Sequence, residues 1–135
     1  MINGLSHTCV YVLDQDEAKA FYTEKLGLVV REDITLGDYR WLTVGPKDRQ
    51  DITIVLSAIG APHFDEETAA QLRSVIAKGA MGPGVLTTDD CHKTFEELSA
   101  KGVEFVQEPA DRPYGIEALF RDNSGNWFSL TQRRR

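Results

Sequence analysis

Apolar and polar positions alternate with period two from Leu5 to Leu13, with His7, Cys9 and Tyr11 on one side and Thr8, Val10 and Val12 on the other. This pattern predicts a strand with one apolar face and one chemically mixed face. Asp14 then stands where a helix N-cap is expected, and Glu17 three residues later completes a capping-box-like spacing. The helix is expected to run to about Leu26, burying Ala18, Phe21, Tyr22 and Leu26, with Gly27 as its left-handed stop. Leu28 to Arg31 returns as a strand. Tyr39 to Val44 and Asp51 to Ser57 read as a hairpin across the loop 45–50.

Residues 58–83 break the pattern. Gly60-Ala-Pro62 interrupts, and Asp65-Glu-Glu-Thr then opens a helix with Leu72, Val75 and Ile76 on one face that ends near Gly79. The segment reads as an ordered connection. His63 is expected to be solvated within it. After it the first pattern returns: a strand over 84–88, then a helix from Asp90 to about Lys101 capped by Asp89 or Asp90 and stopped by Gly102. Val103 to Gln107 follows as a strand, Pro109 to Pro113 as a loop, and Gly115–Arg121 with Asn126–Thr131 as a hairpin over Asp122-Asn-Ser-Gly125. Arg133-Arg-Arg135 is expected to form a solvated tail.

The two copies keep nearly constant spacing: Asp14 and Asp90 lie 76 residues apart, Gly27 and Gly102 lie 75 apart. The predicted fold class is therefore α+β, two βαβββ repeats forming a cleft or half-barrel within one domain of residues 1–135. Repeat one covers about 1–57, the connecting helix about 58–83 and repeat two about 84–132. Helices must cover the apolar sheet faces, which leaves His7, Cys9 and Tyr11 on the inner face of a cavity. A one-residue slip in register would turn every one of these side chains to the other side.

Composition narrows the function. Hydrophobic residues at 41% and charged residues at 27% exclude a disordered chain. A net charge of −6 argues against nucleic acid as a partner, because that binding needs a basic footprint. No apolar run approaches membrane-spanning length, so no membrane partner is expected. Cys9 and Cys91 make no disulfide framework, and with no signal-like segment at the N-terminus a cytoplasmic location is expected.

Several short motifs carry a resemblance to a known family. They are Ser6-His7 with Asp14, Phe21-Tyr22 before Leu26-Gly27-Leu28, Thr88-Asp89-Asp90, Lys101-Gly102-Val103-Glu104-Phe105, and Phe120-Arg-Asp122-Asn-Ser-Gly125-Asn126. Over nearly its whole length the chain resembles the vicinal oxygen chelate superfamily, which includes glyoxalase I, bleomycin-resistance proteins and extradiol dioxygenases. The last motif is similar to the family turn Phe-x-Asp-Pro-x-Gly-Asn, with Asn123 where proline is usual. The resemblance implies the fold more sharply than the reaction. In metal-dependent members the first strand of each half offers His or Gln, and the last strand of each half offers Glu. His7 matches. The equivalent position in the second half is Pro83, the family Glu falls at Ser129, and its front-half counterpart falls at Thr53 or Val55. No metal and no other cofactor is therefore expected, unless Cys9 and Glu117 join His7 in a noncanonical divalent site.

Two functional readings follow. The first is a glyoxalase-like or bleomycin-resistance-like protein that binds a small organic ligand in the inter-repeat cleft without metal. Its ligand-binding candidates are Cys9, Tyr11, Trp41, Arg112, Tyr114, Trp127 and Ser129; the tryptophans suit a planar or cationic ligand, although core packing is the commoner fate of a strand tryptophan. The alternative is a lyase or isomerase with His7 and Glu117 as catalytic acid–base groups. Glu117 lies among Ile116, Ala118 and Leu119 in the sequence, where desolvation would raise its pKa; an edge-exposed acid or a salt bridge to Arg40 or Arg112 is the competing fate. Cys91-His92 is set aside, since adjacent helical residues point about 100° apart. A homodimer is expected, because half-barrels leave sheet edges open and superfamily members often share their sites between subunits.

Overall fold

The computed structural model describes residues 1–134; Arg135 of the expected tail lies outside the described residues. The chain divides into two compact units, Met1–Arg73 and Ser74 onward, the boundary falling within α2. The first unit runs β1 (His7–Val12), α1 (Gln15–Ala20) continuing as a π-helical turn over Phe21–Lys25, β2 (Val29–Leu36), β3 (Tyr39–Gly45) and β4 (Thr53–Ala58). After α2 (Glu66–Ala77), the second unit repeats the order with β5 (Gly84–Thr87), α3 (Cys91–Ala100), β6 (Phe105–Arg112), β7 (Gly115–Arg121) and β8 (Trp127–Arg133).

Each unit builds one four-stranded mixed sheet, in the orders β1-β4-β3-β2 and β5-β8-β7-β6. The first strand of each unit pairs parallel with the last, and the remaining pairs are antiparallel. The repeat and the α+β class read from the sequence are the architecture of the chain.

Local chemistry accounts for the helix ends. Asp14 accepts a hydrogen bond from the Glu17 backbone N–H at 2.9 Å, and Asp90 accepts one from Lys93 at 3.0 Å. Gly27 and Gly102 follow with φ of +76° and +87°, the left-handed stop in both copies. Asp65 caps α2 through Thr68 at 2.7 Å. Of the residues expected to be buried on the first helix, Ala18, Phe21 and Tyr22 are buried and Leu26 is half-buried.

The cores lie on the helix side of each sheet. In the first unit Val10, Val12, Leu42, Val44 and Leu56 are 0–2% exposed, and α1 packs on β3 and β4. An ion network fastens α1 to the sheet: Arg40 reaches Asp16 at 2.6 Å and Asp33 at 2.8 Å, and Lys19 reaches Asp33 at 2.8 Å. Hydrogen bonds from Arg40 and Lys19 hold the Asp33 carboxyl well below the usual carboxylate range. In the second unit Phe95, Phe105, Phe120 and Phe128 form a chain of rings with centroids 4.7, 5.6 and 5.8 Å apart. Fully burying Phe120 contributes about 2–3 kcal/mol of transfer free energy.

Three stretches differ from their sequence expectation. β2 extends to Leu36, past the expected end at Arg31, because the Gly37-Asp38 turn makes a β2–β3 hairpin whose pairing continues to Leu36 and Tyr39. The expected loop at Pro109–Pro113 is strand β6 as far as Arg112; register shifts between Phe105 and Gln107 and between Gln107 and Ala110 absorb Pro109, which has no N–H to give. Arg133 and Arg134 are exposed but not a free tail: Arg133 pairs with Gly115 in the β7–β8 ladder, and Arg134 bonds Asp111 at 3.0 Å.

Candidate functional site

Strand alternation and register place four rows of side chains on the first sheet's face opposite α1. These rows are His7, Cys9 and Tyr11 on β1, then Thr53, Val55 and Ser57 on β4. Tyr39, Trp41 and Thr43 on β3 lie on the same face, as do Glu32, Ile34 and Leu36 on β2. His7 and Cys9 are exposed and Tyr11 half-exposed, whereas Val10 and Val12, pointing the other way, are buried. The sidedness read from the period-two pattern therefore holds for β1.

Aromatic rings dominate this face. His7 and Trp41 have centroids 5.7 Å apart, Tyr11 meets Phe64 edge-on at 5.2 Å, and Tyr39 meets His63 edge-on at 6.1 Å. Trp41 donates its indole N–H to Glu32 Oε1 at 3.2 Å, and Ser6 Oγ lies 2.8 Å from His7 Nδ1. Burial and the neighbouring Cys9 thiol push the Tyr11 phenol up from its ordinary value, so it stays neutral across the physiological range. His63, expected to be solvated, is exposed yet engaged with Tyr39.

The corresponding face of the second sheet is polar and centres on Glu117. Ser129 Oγ donates to Glu117 Oε2 at 2.5 Å and Tyr114 Oη to Oε1 at 2.7 Å, with Arg112 Nε 3.9 Å from Oε1. Arg112 also donates to Gln107 Oε1 at 3.1 Å, and Gln107 Nε2 to the Glu117 carbonyl at 3.1 Å. The Ser129 and Tyr114 hydrogen bonds hold the Glu117 carboxyl below its ordinary value. This reverses the expected upward shift: donors to the charged form outweigh desolvation. The contact with Arg112 is one of the fates expected for Glu117, whereas Arg40 is committed to Asp16 and Asp33.

Of the sequence candidates, His7, Cys9, Tyr11 and Trp41 share the aromatic face, and Arg112, Tyr114, Glu117 and Ser129 share the polar cluster. Trp127 shares the Ser129 face of β8 but stands at its far end, away from Glu117. Its indole covers the backbone of Gly82 so closely that a Cβ there would lie 2.2 Å from the ring. Sequence reasoning passed over Phe64, Gln107 and Thr131. Thr131 sits two residues beyond Ser129, so alternation alone places it on the same face; Phe64 lies in the aperiodic connection and carries no such signal.

Thr131 also lines a hollow of about 550 Å³ bounded by the β5–α3 junction, the start of β7 and the end of β8. Thr87, Asp89 and Arg133 line it as well.

The donor set does not fit the divalent ion of metal-dependent relatives. Register resolves the position left open between Thr53 and Val55: Cys9 pairs with Val55 as Val85 pairs with Ser129, which makes Val55 the counterpart of Ser129. Pro83, Val55 and Ser129 thus stand where ligands would be needed, and Ser129 gives its hydrogen to Glu117. Among the described residues no group of three His, Cys, Asp or Glu side chains is placed to hold a metal ion. An isolated imidazole does not hold a divalent ion against water.

Comparison with known proteins agrees with this architecture. The family model described as Glyoxalase/Bleomycin resistance protein/Dioxygenase superfamily matches residues 4–130. The chain is 33% identical over 126 residues to the uncharacterized protein YurT of Bacillus subtilis (strain 168), covering 93% of this chain and 96% of that one. Among solved structures, UcmS2 is 57% identical with a TM-score of 0.93, over 98% of this chain and 99% of that one. TnmS3, an antibiotic binding protein from Streptomyces sp. CB03234, is 30% identical with a TM-score of 0.79, over 98% of each chain. With two βαβββ units in the same strand order and a family match across nearly its whole length, the chain belongs to the glyoxalase/bleomycin resistance protein/dioxygenase superfamily.

Proposed function

We propose that this protein binds a small planar organic molecule against the open face of its first sheet, and that it does so without a metal ion. The observation that carries the reading is the row of ring contacts His7–Trp41, Tyr11–Phe64 and Tyr39–His63 on a face left uncovered by α1. Partly exposed rings held in place by their neighbours offer stacking surface at little entropic cost. The similarity to TnmS3, an antibiotic binding protein, supports a ligand of antibiotic type. Metal-free binding is supported by the donor set, in which proline, valine and serine replace ligating side chains.

The lyase or isomerase alternative draws no support from Glu117. A carboxylate that accepts two hydrogen bonds and titrates below its ordinary value is a weak base at neutral pH. The working form we propose is a cytoplasmic homodimer. An exposed free thiol at Cys9 fits a reducing compartment, and the edge strand β2, with Ile34 and Leu36 exposed, fits association with a second copy. Among the described residues no helix is long and apolar enough to cross a membrane.

The test is a fluorescence titration of the purified protein against a panel of planar aromatic antibiotics. At least one compound is expected to quench Trp41 saturably, and Trp41→Ala is expected to weaken its binding at least about tenfold, as loss of a central aromatic anchor does. A panel without a saturable binder, or a binder indifferent to Trp41→Ala, contradicts the proposal.

A further inference from the structure

The hollow in the second unit is joined to Glu117 by a directed chain of hydrogen bonds, and the direction of that chain says what it binds. Glu117 accepts from both Ser129 and Tyr114, bonds that hold it ionised at neutral pH, so the carboxylate donates nothing. Ser129 has a single hydroxyl hydrogen, and it goes to Glu117 Oε2 at 2.5 Å. The 2.7 Å contact between Ser129 Oγ and Thr131 Oγ1 must then run with Thr131 as the donor. With its only hydrogen spent, the Thr131 oxygen has nothing left but lone pairs, and Thr131 lines the hollow.

Asp89 lines the same hollow and brings a second group that only accepts when ionised. The cationic side chains Arg133 and Arg134 line it too, Arg134 already bonded to Asp111 at 3.0 Å. Two guanidinium groups on the wall disfavour an ammonium, whereas a neutral hydroxyl can give its hydrogen to an acceptor and take one from Arg133.

Building on the reading of the chain as a small-molecule binder, we propose that this hollow is a subsite for the neutral hydroxyl group of a small-molecule ligand, with Thr131 accepting its hydrogen. Glu117 and Ser129 act as positioning residues. They reach the ligand through Thr131 by fixing which way its hydrogen points.

The test uses two probes with the same ring system, 2-naphthol and its methyl ether 2-methoxynaphthalene, titrated calorimetrically into the full chain. The naphthol is expected to bind at least about fivefold more tightly, the discrimination one net hydrogen bond provides. Ser129→Ala releases the Thr131 hydrogen and should bring the ratio within about twofold. Thr131→Val, which removes the acceptor, should do the same, whereas Thr131→Ser should keep the wild-type ratio; circular dichroism checks that each variant is folded. Equal binding of both probes to the wild type, or a ratio unchanged in Ser129→Ala and Thr131→Val, overturns the subsite and leaves the binding reading standing. Failure of both probes to bind also overturns the subsite, while the antibiotic panel and Trp41→Ala decide the binding reading separately.

Discussion

At the scale of single residues, Glu117 shows two opposed effects on one carboxyl. Partial burial pushes its pKa up, and hydrogen bonds from Ser129 and Tyr114 push it down further than burial raises it. A folded-state pKa below the unfolded value stabilises the fold fully above the ordinary glutamate range, and this contribution is lost as the pH falls through the folded value. Ser129→Ala and Tyr114→Phe each remove one donor, so each is expected to move the Glu117 titration upward. Carbon-13 NMR of the side-chain carboxyl checks this, and stability measured against pH should fall less steeply on acidification in either variant. A titration midpoint unmoved in both would show that the two bonds do not set the charge.

Among the elements, the turn between β7 and β8 is the most tightly specified. Asp122 Oδ1 accepts the backbone N–H groups of Ser124, Gly125 and Asn126 at 2.9–3.0 Å, and Asn126 Nδ2 reaches Oδ2 at 3.0 Å. Gly125 has φ of +114°, and a Cβ there would lie 2.2 Å from the Ile76 carbonyl oxygen at the end of α2. Both the conformation and the contact exclude a side chain. Gly125→Ala is expected to cost at least about 2 kcal/mol, whereas Gly84→Ala, with open space around its Cβ, should stay within about 0.5 kcal/mol. Urea unfolding of the two variants separates the outcomes, and equal stabilities would contradict the account of the turn.

The same elements show what can be read from sequence. Capping aspartates, left-handed glycines and the period-two alternation of β1 are local signals, and the structure has the elements they predict. The β6 strand was hidden because Pro109 reads locally as a breaker, and only pairing with β7 across two register shifts keeps it extended. The polar cluster was legible as a set of residue types but not in its charge state. That state depends on which hydroxyls reach Glu117, which is a matter of register. Phe64 and His63 joined the aromatic face from a segment without periodicity, so only folded geometry reveals them.

For the whole molecule, the internal repeat keeps its strand order while its chemistry diverges. One sheet carries aromatic rings on its open face and the other a hydrogen-bonded carboxylate, and Pro83, Val55 and Ser129 stand at the positions where the family resemblance implies metal ligands. A purified sample is therefore expected to hold less than stoichiometric zinc, nickel, manganese or iron by elemental analysis, and to run as a homodimer by light scattering. One tightly bound ion per chain that disappears in His7→Ala would contradict the first expectation, and a monomer at all concentrations the second. The most direct test of ligand binding on the open face of the first sheet is NMR of side-chain signals during titration with a compound that quenches Trp41. The account predicts shifts at the Trp41 indole N–H, the His7 imidazole and the Tyr11 ring, while the methyl signals of Val12 and Leu42 on the helix side stay in place. Shifts concentrated on Val12, Leu42 and α1, with Trp41 and His7 unmoved, would contradict it.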